Sequence, residues 1–173
     1  MTQPNWIHIP LEADERTMLL AFLDYYRVEF IDRARGLDPD QLQIPLTDSG
    51  LTLGRLIIHM AYVEQIWFAI RLNGEEPQPP FAGLDFDADP DAEMALSHGR
   101  SFEDLVAEFD AAVADSTQRI AASDSLDRRT ERTNRDGKHW NLRWILIHMI
   151  EEYARHCGHA DLIRESIDGN TVD

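Results

Sequence analysis

The sequence predicts an all-α fold, an antiparallel four-helix bundle, and three observations carry that prediction. Four segments of roughly 20 to 26 residues repeat apolar side chains at spacings of three, four and seven. The first two stretches between them are rich in proline, glycine and acidic residues, and the third is polar with clustered Arg128, Arg129, Arg132 and Arg135. Two of those connections are long enough to cross the bundle, so the order need not be the simplest up-down-up-down.

Residues 1–10 contain Pro4 and Pro10 and read as an irregular arm, with Trp6 and Ile7 available to pack over one end of the domain. The first helix is expected over about 11–35, through Met18, Leu19, Phe22, Tyr25, Tyr26, Phe30 and Ile31. Glu12, Asp14 and Glu15 suit its positive end, and Arg33, Arg35 and Gly36 suit its close. A connection of about fifteen residues, GLDPDQLQIPLTDSG, follows. The second helix, about 51–72, is apolar over much of its circumference and should be buried on several sides, with His59 in its middle.

Residues 73–100 read as a long loop, a lid or wall element anchored by Phe81, Leu84 and Phe86, with at most one short helical turn near 92–96. A third helix opens at Ser101-Phe102-Glu103-Asp104, where Ser101 and Asp104 form a capping pattern, and runs to about Ala122. Residues 123–139 are polar, with a hairpin at Asp136-Gly137 as one option. The fourth helix, from Trp140 to about Ile167, stops at Asp168-Gly169-Asn170.

A chain of 173 residues fits a single domain, 1–173, with enough core to need no disulfide or metal staple. It has 32 acidic against 16 basic side chains, a formal charge of −16, which argues against a nucleic-acid binder. An anionic substrate would have to meet local positive charge. There is no stretch long and apolar enough to span a membrane and no secretory pattern in the first twenty residues. With Cys157 as the one cysteine, a reducing, cytoplasmic location is expected.

The fourth helix carries four potential metal ligands, His148, Glu152, His156 and His159. At about 100° per residue they fall within an arc of roughly 80°. They cannot share one ion, because His148 and His159 are separated by about 16 Å of rise. Spacing leaves three pairs open: His148 with Glu152, Glu152 with His156, and His156 with His159. His59 could supply a third ligand from the facing helix, and three protein ligands with one open position describe a catalytic zinc site. The competing reading is a hydrogen-bonded core histidine at 59 and a hydrated polar stripe on the last helix.

The runs LTLGRLIIHMAYVEQIWF and LRWILIHMIEEYARHCGHADLIRESIDG resemble the DinB-like superfamily of bacterial four-helix bundles, most closely its actinobacterial branch related to mycothiol-dependent maleylpyruvate isomerase and mycothiol transferases. The resemblance covers about 18–169. It implies a divalent metal, zinc or alternatively nickel, held by His59, Glu152 and His156. Many members have two histidines on the last helix; the carboxylate at Glu152 matches the isomerase branch. It further implies a mycothiol-like thiol as cosubstrate, activated for attack on an electrophilic small molecule. The physical basis is that a thiol with pKa near 8.5 is mostly protonated at neutral pH until a cation stabilises the thiolate. The alternatives are a non-catalytic metal- or ligand-binding bundle, acting through a partner or as a homodimer, and a metal-assisted hydrolase.

Around this set, His148, His159, Asp161 and Arg143 are candidates for supporting ligands or touching substrate. Surface ion pairs are the simpler assignment for Arg143, Arg155 and Arg164. Cys157 is rotated about 100° from His156 and reads as packing, not as a nucleophile. His8, His98 and His139 have no matching partners, and Trp67, Trp140 and Trp144 read as core or cavity wall.

Overall fold

In a computed structural model, residues 9–48 and 50–171 are described, and they form the all-helical architecture the sequence predicts. Trp6 and Ile7 of the expected arm lie outside the described residues. Four helices dominate: α1 (Glu15–Asp32), α2 (Leu53–Glu64), α3 (Phe102–Ala121) and α4 (Leu142–Asp168). The second continues without a break into a π-helical segment, Gln65–Leu72, and short 3-10 turns occupy Gln41–Gln43 and Ala92–Ser97.

The helix starts are set by side-chain caps. Asp14, Thr52, Ser101 and Asn141 each accept a hydrogen bond from the backbone N–H three residues on, satisfying one of the orphan donors at a helix N-terminus. Ser101 also donates to Asp104 Oδ2 at 2.9 Å, so the capping pattern read from the sequence is present. The fourth helix stops at Gly169, whose φ of 72° favours glycine and whose N–H bonds to the carbonyl of Glu165. The first helix begins later than predicted because Leu11 is almost fully exposed and the Asp14 cap excludes it from the first turn.

Ion pairs and ring contacts fix the directions of the helices. Glu15 meets Arg143 and Arg33 meets Asp161, so α1 and α4 run parallel. Gly54 approaches Leu105 and Glu75 meets Arg119, so α2 and α3 also run parallel. His59 faces His156 while Trp67 faces Trp144, which makes α2 antiparallel to α4. The order is therefore up-down-down-up, and the 73–101 connection is the one that travels the length of the bundle.

The core is contributed by all four helices, with Leu23, Phe30, Leu56, Ile57, Met60, Phe68, Phe109, Leu146, Met149 and Tyr153 at its centre. Phe30 packs between Phe109 and Tyr153 at 6.0 and 5.9 Å between ring centres. Gly54 is required by a close approach: a Cβ there would lie 2.8 Å from Gln43 Nε2 and 3.1 Å from the Leu42 carbonyl, so the 3-10 turn at 41–43 could not seat against α2. The long loop is anchored as expected. Phe81 is buried and packs on Tyr62, and Phe86 stacks on the same ring at 4.8 Å. The hairpin option at 136–137 takes a minimal form, one antiparallel bridge between Arg129 and Asn141 with a turn in which Asn134 N–H bonds to the Lys138 carbonyl.

One buried ionic cluster ties three helices together. Arg27 of α1 makes a bidentate pair with Glu64 of α2, both bonds 2.8 Å, and Tyr153 of α4 donates to the same carboxylate at 2.7 Å. Glu64 and Tyr153 are completely buried. Burial opposes the charge on Arg27, but the Glu64 carboxylate outweighs it and holds the guanidinium protonated. Burial, reinforced by Glu64, pushes the Tyr153 hydroxyl well above its ordinary value, so it remains a donor.

Candidate metal centre

The side chains of interest project from facing surfaces of α2 and α4. The His59 and His156 rings lie 5.1 Å apart between centres, in an edge-on arrangement. Glu152, one turn before His156, places Oε2 3.5 Å from His156 Nε2. Its other oxygen is 3.5 Å from His148 Nε2 and 3.7 Å from Arg155. His59, His148, Glu152 and His156 are each partly exposed to solvent.

Each of the two imidazoles has its Nδ1 engaged. His59 Nδ1 lies 2.8 Å from Glu93 Oε1, and His156 Nδ1 lies 3.3 Å from His159 Nδ1. A carboxylate can only accept, so the proton between His59 and Glu93 sits on Nδ1 when both are in their ordinary charge states, leaving the lone pair on Nε2. His156 is held neutral: burial, then the proximity of His59, His159 and Arg155, pushes its pKa down to about 4. A neutral imidazole is the form that binds metal.

Glu93 stands out among the acidic residues of the long loop. It is 2% exposed, and its second oxygen, Oε2, is buried without a partner among the described residues. Sequence reasoning placed a helical turn here but passed over Glu93, since nothing in the sequence separates it from Glu75, Glu76, Asp85, Asp87, Asp89 and Asp91 of the same segment. Only packing of the Ala92–Ser97 turn against α2 selects it. The Arg27–Glu64–Tyr153 cluster was missed for a similar reason: in sequence, Glu64 looks like one exposed position on an apolar helix.

The other sequence candidates separate into two groups. His148 and His159 border the pair, one against Glu152 and one against His156. Arg143 and Asp161 do not. Arg143 is held by Glu15 and Asp127, and Asp161 accepts from Arg33 at 2.8 Å. Arg155 pairs with Glu151, as a surface assignment requires. Arg164 does not fit that assignment, since it is buried and donates to the carbonyls of Arg33 and Arg35 as well as to Asp168. Cys157 is buried against α1, and burial pushes its thiol up to about 12, which removes it as a nucleophile at neutral pH.

A family profile described as mycothiol S-transferase matches residues 18–169. The chain belongs to the mycothiol S-transferase family. No curated protein matches it. The matched span takes in α2, the long loop and all of α4, and therefore every residue of the candidate centre in this mycothiol S-transferase family member. Among the described residues no helix is long and apolar enough to cross a membrane.

Whether the residues suit a divalent cation can be judged from the donors themselves. Among the described residues no three His, Cys, Asp or Glu side chains stand as a ready-made ligand cluster. The Glu152 carboxylate is divided between His148, His156 and Arg155. The donor types nevertheless fit: two imidazoles, each with Nδ1 occupied by a neighbour, and one carboxylate a helical turn away. The carboxylate behind His59 is the arrangement that fixes ring orientation in histidine-ligated zinc sites.

Proposed function

We propose that this family member is a metal-dependent transferase that joins a mycothiol-like thiol to an electrophilic small molecule. The observation that carries the reading is the facing of His59 and His156 across α2 and α4, each ring held at Nδ1, with His156 Nε2 turned to Glu152 at 3.5 Å. His59, Glu152 and His156 would hold the cation, zinc on the balance of nitrogen and oxygen donors. Bound there, a divalent cation lowers the pKa of a thiol from about 8.5 and so supplies a thiolate at neutral pH.

The remaining steps fall to the chain's own groups. Glu93 keeps the His59 proton on Nδ1, and His159 can accept the proton that His156 carries on Nδ1 when its Nε2 is a ligand. Transfer breaks the thiol S–H bond and forms one carbon–sulfur bond, while the electrophile either loses a leaving group with its bonding pair or, as an activated alkene, shifts its π pair to the neighbouring carbon, which takes up a proton; the thiol proton is released. His148, beside Glu152 and outside the proposed ligand set, is placed to receive it. Location in the cytoplasm follows from the need for a reduced thiol pool.

The test compares wild type with His156→Ala, both purified without an affinity-tag metal step, for bound metal and for thiol conjugation with a panel of electrophiles. Wild type is expected to hold about one equivalent of metal and to conjugate, and the variant to do neither. Equal, near-zero metal in both would refute the metal centre. Tight metal binding without conjugation would favour a non-catalytic binding bundle, and turnover of an ester or amide without any thiol would favour a hydrolase.

A further inference from the structure

We propose that the tryptophan-walled cavity beside the start of α4 binds an aromatic anion, which is the electrophilic substrate class of the neighbouring centre. The location of this site stands on its own observations; naming its occupant a substrate rests on the proposed function.

The cavity has a volume of ≈ 590 Å³, and its lining includes Trp140, Trp144, Arg129, Lys138, His139 and one carboxylate, Asp127. In a protein with a formal charge of −16, its two cations are unusual. Arg129 and Lys138 make no ion pair among the described residues, whereas the Asp127 carboxylate is already held by Arg143. Among the lining side chains two unpaired cations therefore face one carboxylate that is already paired, a local balance opposite in sign to the chain's net charge and one that favours an anion. The helix terminus itself offers no free donors: Leu142 N–H bonds to the Arg128 carbonyl, Arg143 N–H to the Leu126 carbonyl and Trp144 N–H to Asn141 Oδ1. Recognition of charge is left to the two side chains.

The opposite requirement, a flat apolar body, comes from the indoles. Trp144 is 43% exposed although it is a large apolar residue in the first turn of α4, inside the family-matched span. It packs 5.2 Å from Trp67 and stacks on His148 at 4.9 Å and 25°. Trp140 is fixed between Trp67 and the Arg71 guanidinium. Rings held so firmly and still open to solvent present a stacking surface at little conformational cost. The wall continues towards the candidate centre, because His148 Nε2 is 3.5 Å from Glu152. Trp144 and Glu152 are eight residues apart on one helix, about 12 Å of rise. A molecule with its anionic end at Lys138 and its ring on Trp144 would extend its other end towards Glu152.

Naphthalene-2-sulfonate is a suitable probe, titrated into the full-length, metal-free protein and followed by tryptophan fluorescence and calorimetry. One saturable site is expected, weakened by added salt. Affinity should fall at least tenfold in Arg129→Gln/Lys138→Gln and in Trp144→Ala, all substitutions of exposed side chains, and neutral 2-methoxynaphthalene should bind at least tenfold more weakly than the sulfonate. His156→Ala should bind the sulfonate as wild type does, which separates failure of the metal centre from failure of this site. Absence of saturable binding, equal affinity for the neutral ring, unchanged affinity in the surface variants, or loss of binding in His156→Ala would each overturn the inference.

Discussion

His59 Nδ1 stands 2.8 Å from a carboxylate oxygen of Glu93, a residue 34 positions later in the chain and almost wholly buried. The contact joins the centre of α2 to the long loop that crosses the bundle, and it determines which nitrogen of His59 is available.

Replacing Glu93 by Ala should therefore weaken zinc binding by about 10- to 100-fold, the usual effect of removing the partner behind a ligating histidine. Glu93→Gln, whose amide oxygen can still accept the Nδ1 proton, should lose less. Competition with a chromophoric chelator measures both, and nitrogen NMR of the metal-free protein reads the His59 tautomer directly. Wild-type zinc affinity in Glu93→Ala would remove Glu93 from any role at the centre.

Acid should destabilise the metal-free protein through His156. Its folded pKa, about 4, lies below the ordinary value of 6.5, so between these limits the unfolded chain binds more protons and stability falls as pH falls. Above pH 6.5 the contribution is complete; below about 4 it is lost. Partial solvent access limits the size of the effect to roughly 2 kcal/mol. Urea unfolding at a series of pH values should show this slope in wild type and a shallower one in His156→Gln.

Glu64 is the most sensitive of the buried polar positions. Glu64→Ala removes the bidentate partner of the buried Arg27 and leaves it only the half-exposed Asp24 at 3.0 Å, which should cost about 3–5 kcal/mol. Tyr153→Phe removes one hydrogen bond to a charged acceptor while keeping the ring, and should cost about 1.5–3 kcal/mol. Denaturant titration of the two variants distinguishes these losses, and a Glu64→Ala protein as stable as wild type would show that the cluster contributes nothing to the fold.

Much of this architecture can be read from the sequence because helices advertise themselves through periodicity and caps. The caps at Ser101 and Gly169 lie where those signals put them, and the apolar circumference of α2 announces its burial. The Glu152–His156 spacing is likewise a local property of one helix. What is not local is not legible. Glu93 becomes a partner of His59 only through tertiary packing, Glu64 reveals its role only when Arg27 and Tyr153 arrive from other helices, and the parallel pairing of α1 with α4 depends on which connection spans the bundle. The π-helical turns after Glu64 also carry no compositional mark, since Gln65–Leu72 suits a regular helix equally well.

Those widened turns amount to a stored insertion. An α-helix advances by about 100° per residue and a π-helix by less, so Trp67 and Arg71 face directions that an unbroken α-helix from His59 would not give them. Removing a single residue between 65 and 72 would let the helix tighten, leaving His59 and Glu64 in register while swinging the aromatic wall out of line with Trp140 and Trp144. In this bundle the half of α2 that bears the histidine and the half that bears the indole can thus diverge by a change of chain length, without any exchange of one side chain for another.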